Sequence, residues 1–347
     1  MRHAIRLPAA ALSTRKGLGL GIAGLSAAAL AATAGWVWYR ARRAEASHRP
    51  AGRFVEVDGV RLHYIDRGLG PPVVLLHGTL VRLEDLLASG LVDRLSERHR
   101  VIAFDRPGFG FSERPRTRAW TADAQAELLE HALARLGVQS PAVVGHSWGT
   151  MVAAALALRQ ESNLRRLVLL SGFYFPEPRV DALVASPAAT PVLGDVMRYT
   201  VSALTARAML GRAMRTMFAP EPVPAGYAQK LSREMLLRPS QLRATAEEAA
   251  LLLPSATSLA QRYASIGVPT TILAGEEDKV VDPVEHSRRL AGLIPGAELR
   301  LLPGVGHMVH FAALDEVVDA VDAAAPLPIE TEAERTTRAA DDAVSPS

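Results

Sequence analysis

The stretch Gly145-His146-Ser147-Trp148-Gly149 decides the reading of this chain, through the two segments that flank it. Before it, Pro141-Ala142-Val143-Val144 is a short apolar run expected to form a buried strand. After it, the run from Thr150 to Leu158 is rich in Ala and Leu and is expected to be helical. A serine between strand and helix, with glycine two residues before and two after, marks a turn so tight that a side chain at either glycine would meet neighbouring backbone. The turn forces Ser147 into a strained conformation and presents its hydroxyl at the sheet edge, which makes it the candidate nucleophile.

Outward from this turn the chain alternates strands and helices. Arg53–Val57 and Val60–Ile65 alternate around Asp58-Gly59, a hairpin signal. Buried strands follow at Val73–Leu76, Val101–Phe104, Ala142–Val144, Leu167–Leu170, Thr270–Ala274 and Leu299–Leu302. Helical stretches lie near Leu83–Leu95, Ala122–Leu136, Thr150–Arg159 and Pro283–Ile294, with a last one near Ala312–Ala324. Apolar runs alternating with helices imply a mostly parallel sheet covered on both faces. The rhythm breaks between residues 173 and 263, where no buried strand is visible, prolines recur up to Pro254, and apolar segments at Val196–Met209, Ala228–Leu237 and Leu242–Leu253 indicate short helices. A structureless loop of that length is improbable, so the interval is expected to be a helical insertion over the strand ends. The core is then 52–172 with 264–325, and the polar tail 326–347 is expected to be disordered.

The chain has 347 residues, a net charge of +3 and no cysteine, which excludes disulfides, thiolate catalysis and Cys-ligated metals. The positive charge sits in residues 1–50, which hold eight Arg or Lys against Glu45 alone, so nothing suggests nucleic-acid binding by the folded part. None of the ten histidines has a metal-ligand spacing, and no metal or organic cofactor is implied. From Gly17 to Tyr39 an uncharged run lies between Arg15-Lys16 and Arg40-Ala41-Arg42-Arg43, long enough as a helix to cover a hydrocarbon layer of about 30 Å. Trp36, Trp38 and Tyr39 fall where an aromatic belt would meet headgroups. This predicts an N-terminal arm, 1–50, with a single-pass anchor at 17–39. The short arm before it favours an N-inside orientation. Cleavage at Ala32-Thr33-Ala34, giving a secreted or periplasmic protein, and a soluble helix are the alternatives.

An activated serine needs a base, the base an orienting acid, and the developing oxyanion needs donors. His77-Gly78-Thr79 follows a buried strand, so the Thr79 N–H is one expected donor. The Trp148 N–H, at the helix start, is the other. His77 itself is expected to pack the loop rather than react. Asp278, in the loop after Thr270–Ala274, is the expected acid, with Glu276, Glu277 and Asp282 as rivals. His307, in Pro303-Gly304-Val305-Gly306-His307, is the expected base, with His310 as competitor. The chain order Ser147, Asp278, His307 selects these three.

Four motifs in order carry a resemblance to the α/β-hydrolase superfamily over about residues 52–325: His77-Gly78-Thr79, Asp105-Arg106-Pro107-Gly108-Phe109-Gly110-Phe111-Ser112, the serine turn, and the Asp278 and His307 loops. The second resembles the family's D-x-x-G-x-G-x-S loop and is expected to be a structural turn lining the site. The resemblance implies an α/β-hydrolase fold: an eight-stranded, mostly parallel sheet flanked by helices, with a helical cap. It also implies a serine hydrolase that cleaves a carboxylic ester or related acyl bond of an apolar small molecule through an acyl-enzyme. Related epoxide hydrolases and haloalkane dehalogenases place an aspartate where Ser147 stands, which argues against both chemistries here. The carbon–carbon bond hydrolases and proline iminopeptidases often have a longer Gly-rich loop than His77-Gly78-Thr79-Leu80, although Ser147-Trp148-Gly149 resembles the iminopeptidase turn. Cofactor-free haloperoxidase, carbon–carbon hydrolase and aminopeptidase chemistry on the same triad are the alternatives, followed by a non-catalytic binding protein. Five of the eight methionines (Met197, Met209, Met214, Met217 and Met235) fall in the insertion, where they suit either an adaptable apolar pocket or ordinary helix packing.

Overall fold

The structure is a computed structural model that describes residues 9–159 and 163–323, with side chains from residue 24 onward, Asp181 excepted. The expected disordered tail, 326–347, lies outside the described residues. Eight strands form one sheet in the order β1-β2-β4-β3-β5-β6-β7-β8. They are β1 (Arg53–Val57), β2 (Val60–Arg67), β3 (Pro72–Leu76), β4 (Arg100–Phe104), β5 (Ala142–His146), β6 (Arg166–Leu170), β7 (Thr270–Gly275) and β8 (Glu298–Leu302). Only β2 runs against the rest: it pairs antiparallel with β1 and β4, and every other pairing is parallel. The sheet is therefore mostly parallel, as the alternating pattern predicts.

Strand pleat divides the core in two, because successive side chains leave opposite faces. Val74 and Leu76 of β3, Ile102 and Phe104 of β4 and Val143 of β5 share one cluster; Val73, Leu75, Val101, Ala103, Ala142 and Val144 share the other. The helices are α1 (Ala9–Ser47), α2 (Glu84–Ala88), α3 (Leu91–Ser96), α4 (Ala122–Arg135) and α5 (Trp148–Ala157) before β6. α4 and α5 cover the first face with Leu128, Leu129, Met151 and Val152, and α3 covers the second with Leu91, Val92 and Leu95. The single helix expected near Leu83–Leu95 is two, because Gly90 between them takes φ +83°. Thr121 caps α4 by accepting the Ala124 N–H at 3.1 Å.

Between β6 and β7 lie α6 (Val180–Ala185), α7 (Leu193–Tyr199), α8 (Val201–Phe218), α9 (Tyr227–Leu231), α10 (Arg233–Leu236) and α11 (Pro239–Ala260). The expected segment Leu242–Leu253 stops short of Pro254, but α11 runs through that proline to Ala260. Leu252, Ala256 and Leu259 bury against the core on either side of the proline, and that packing outweighs the hydrogen bond it removes. After β7, a π-helical turn at Val284–Arg288 leads into α12 (Arg289–Ala291), and α13 (Val309–Ala312) and α14 (Leu314–Asp322) follow β8. Among the described residues no helix is long and apolar enough to cross a membrane; residues 17–23 of the expected anchor lie outside those whose side chains are described.

The loop after β4 is a structural turn organised by one carboxylate. Asp105 Oδ2 accepts from His63 Nδ1 at 2.6 Å and from the Phe111 N–H at 2.9 Å, and Oδ1 accepts the Leu83 N–H at 2.9 Å. A Cβ on Gly110 would stand 1.9 Å from that carboxylate, and Gly110 has φ +51°. Gly110→Ala is expected to lower the unfolding free energy by about 2 kcal/mol or more, by evicting a buried hydrogen-bonded charge, as a urea titration would read.

Candidate active site

The serine turn is held by close backbone crossings. Ser147 has φ +52° and ψ −122°, a conformation that costs about 1–3 kcal/mol for a non-glycine residue. A Cβ on Gly145 would lie 2.6 Å from the Gly149 carbonyl oxygen, and one on Gly149 would lie 2.5 Å from that of Leu76. Strand β5, helix α5 and the end of β3 thus touch at backbone distance. The Ser147 N–H bonds the Leu170 carbonyl at 2.9 Å, which fixes the turn to β6. β4 and β5 flank β3 on opposite sides, so the turn and His77-Gly78-Thr79 stand at the point where strand order reverses, the usual place for a site in an open α/β sheet.

His307 follows β8 and Asp278 follows β7. Their side chains meet, with His307 Nδ1 at 2.8 Å from Asp278 Oδ2, and both are almost fully buried. The other carboxylate oxygen accepts the Val280 and Val281 N–H groups at 2.7 and 3.0 Å. Burial pushes this carboxyl up, but the His307 charge and these hydrogen bonds outweigh it and hold Asp278 below its ordinary range. With the carboxylate accepting from Nδ1–H, the free ring nitrogen of His307 is Nε2. Glu276, Glu277 and Asp282 are exposed, and Asp282 caps the next turn through the Val284 N–H at 2.8 Å.

Ser147, His307, Thr79 and Trp148 line one cavity of about 240 Å³. No hydrogen bond joins the Ser147 hydroxyl to His307 in this state. Trp148 is the first residue of α5, where a helix leaves its N–H without an internal partner, and among the described residues no backbone carbonyl takes the Thr79 N–H. The walls are mostly apolar, with Leu80, Phe173, Ala182, Ala185, Ala249 and Leu252 among others, and carry Arg179, Thr245 and Glu248. Of the five insertion methionines only Met217 lines this cavity; Met209 is exposed, and Met214 and Met235 are buried in packing.

The rejected histidines have other tasks. His77 Nδ1 donates to the Gly78 carbonyl at 2.6 Å and its Nε2 accepts the Arg106 N–H at 3.0 Å, so both nitrogens of a neutral ring are used. Burial and the Arg106 charge hold it down at about 4. His310 Nε2 lies 2.8 Å from Asp85, whose other oxygen accepts from the Tyr227 hydroxyl at 2.6 Å. That places His310 beneath the site, with its ring centroid 4.4 Å from that of His146.

Sequence reading missed Arg106 and Glu248. The Arg106 guanidinium is fully buried, donates from Nε to the His77 carbonyl at 2.7 Å, and pairs with Glu248 of α11 at the cavity wall. It thereby ties an inserted helix to the loop that carries Thr79. Glu247 and Glu248 are indistinguishable in sequence, and only helix rotation turns one inward.

Comparison with known proteins bears on the fold. Residues 71–314 match the family model described as alpha/beta hydrolase fold. The chain belongs to the alpha/beta hydrolase family. Relatives of this hydrolase include haloalkane dehalogenase 2 of Mycobacterium tuberculosis, 26% identical over 75% of this chain and 90% of that protein. Another is the 2-hydroxymuconate semialdehyde hydrolase of Pseudomonas putida, 29% identical over 74% of this chain and 87% of that protein. Among solved structures, an alpha/beta hydrolase fold protein from Burkholderia ambifaria matches with a TM-score of 0.65 at 23% identity, covering 79% of this chain and 97% of that one.

Two outcomes follow from the buried charges. His77 is neutral when folded but binds a proton near its ordinary 6.5 when unfolded, so between pH 6.5 and about 4 the unfolded chain holds more protons. Stability is expected to fall through that window by about 3 kcal/mol from His77 alone, with buried His146 adding in the same direction; urea midpoints against pH measure it. Glu248→Ala strands a buried guanidinium and is expected to cost about 3 kcal/mol or more, whereas Glu127→Ala, whose pair with Arg118 is partly exposed at both ends, costs well under half of that.

Proposed function

We propose that this protein is a serine hydrolase that cleaves a carboxylic ester or related acyl bond of an apolar small molecule. What supports the reading above all is that Ser147, held at positive φ, and the His307 ring, bonded to Asp278, open onto one cavity. His307 Nε2 takes the Ser147 proton as the hydroxyl attacks the acyl carbon, and the Asp278 carboxylate stabilises the imidazolium that forms. The Thr79 and Trp148 N–H groups hold the oxyanion, and the leaving alcohol departs with the proton from His307. Water then attacks the acyl-enzyme with His307 again as base. The apolar walls fit an aliphatic or aromatic acyl group, and the substrate needs no metal or cofactor for this route.

Dehalogenation does not fit Ser147. A carboxylate that displaces halide from carbon leaves an ester that water can cleave. A serine that did so would leave an ether, which His307 and water could not release. Carbon–carbon bond hydrolysis is compatible with a serine nucleophile and, given the Pseudomonas relative, is the second reading. For the N-terminal arm we propose a single-pass membrane anchor at residues 17–39. Its uncharged composition supports this, as does the exposure of Trp36, Trp38 and Tyr39 just before Arg40, Arg42 and Arg43.

Ser147→Ala is expected to abolish both fluorophosphonate labelling and ester turnover, by about 10⁴-fold or more, in a protein that still unfolds cooperatively. His307→Ala should match it, and Asp278→Asn should cost less. Undiminished turnover by Ser147→Ala would sink the acyl-enzyme route. A panel of esters and vinylogous diketones assayed side by side separates ester from carbon–carbon cleavage.

A further inference from the structure

Nineteen large apolar side chains are exposed among the described residues, and fourteen of them fall in two segments. Nine lie between residues 180 and 209, and five lie on α1 between residues 25 and 39. Exposed apolar residues scattered singly need no explanation, but a concentration of this kind does. The spacing within the first segment is helical. Val180, Leu183 and Val184 of α6, at i, i+3 and i+4, are each at least 74% exposed, while Ala182 and Ala185 on the opposite side line the cavity that holds Ser147. Leu193 and Val196 continue the pattern on α7, and Val201 and Leu204 on α8. α6 is therefore a thin wall with the catalytic cavity on one side and an apolar outer face on the other.

The second segment joins the first. α1 packs on α7 and α10. Arg40 of α1 and Arg207 of α8 share the Glu234 carboxylate, and Arg207 also lies over the Trp36 ring at 5.0 Å. Glu45 bonds Arg238 at the start of α11 at 3.1 Å. These ties fix the aromatic end of α1, with Arg40, Arg42 and Arg43 just beyond it, beside the inserted helices.

We infer that the outer face of α6, α7 and the first turns of α8, together with Trp36, Trp38 and Tyr39, is a docking surface for a lipid bilayer, and that the catalytic cavity takes an acyl chain already dissolved in that bilayer. A bilayer is favoured over a second copy of the chain by what borders the patch. In the sequence the aromatic end of α1 is preceded by an uncharged run from Gly17, and aromatic rings followed by arginines are the composition of a headgroup interface that carries anionic lipid. The surface stands on its own geometry, but the acyl-chain substrate rests on the serine-hydrolase reading.

The absence of native cysteine makes the test direct. Full-length protein carrying Val184→Cys, labelled with bimane, is mixed with vesicles of phosphatidylcholine and phosphatidylglycerol that contain brominated acyl chains. A Leu69→Cys protein, labelled at an exposed loop that leads into β3 at the end of the strands opposite the serine turn, is the control. Quenching at 184 and none at 69 is expected. Equal quenching at both positions, no quenching at 184, or protection of 184 by self-association without lipid would overturn the docking surface. In the activity arm, Val184→Glu with Val196→Glu is expected to lower hydrolysis of a long-chain ester dissolved in vesicles by about tenfold while leaving a water-soluble short-chain ester unchanged. Equal rates on the vesicle substrate would overturn the inference. If neither ester is cleaved by the unaltered chain, the serine-hydrolase reading fails, and the quenching pattern still decides the surface.

Discussion

The contact on which the rest of the structure depends is the crossing of three backbones at the serine turn. Gly149 lies against the Leu76 and His77 carbonyls, and Gly145 lies against Gly149 itself, at distances no Cβ could occupy. Because β3, β5 and the first turn of α5 meet there, the sheet order, the position of the loop that follows β3 and the strained φ of Ser147 are one constraint. A serine at that φ persists only where its surroundings over-determine it. Here they do so through the bond to Leu170 on β6 and the bonds from the Thr150 N–H and hydroxyl to the Ser147 carbonyl.

Around this crossing the buried charges come in satisfied sets. Asp105 is consumed by His63 and two backbone N–H groups, and Asp278 by His307 and two more. Arg106 has a further consequence. Its guanidinium joins the His77 carbonyl, the Gln125 side chain and Glu248, so the loop carrying Thr79 and helix α11 of the insertion are parts of one buried network. The loop after β3 and the roof over the cavity are thus mechanically coupled. In a low-dielectric interior such a pair holds its geometry strongly, because either charge without the other is costly.

Residues 180–209 follow a different logic. Elsewhere the amphipathic pattern is resolved inward: α4 and α14 bury their apolar stripes against the sheet. On α6, α7 and the start of α8 the apolar stripe faces out, and it lies beside the aromatic end of α1. Helices over a cavity that keep an apolar outer face are not stabilised by that face in water, so its presence points to something outside the chain.

All eight strands were legible in the sequence, because short β-branched and leucine runs bounded by Gly and Pro are seldom anything else in a chain of this kind. The order of the serine, acid and base loops could be read in the same way. The break at Gly90 and the continuity through Pro254 were not, since the apolar pattern runs on across the glycine, which turns the chain by its left-handed φ, and local propensity argues for a stop at the proline, where packing carries the helix on. Sequence chemistry alone specified a serine between two glycines and an acid and an imidazole in strand-end loops; the structural turn after β4 came from resemblance, and the Asp105 bonds that knit it came from the tertiary structure. Only the tertiary structure decided which of Glu247 and Glu248 turns inward, that His310 pairs with Asp85 beneath the site while His307 faces the cavity, and that the stripe on α6 points outward. Each of those depends on helix rotation and on contacts between residues more than a hundred positions apart, which no local pattern encodes.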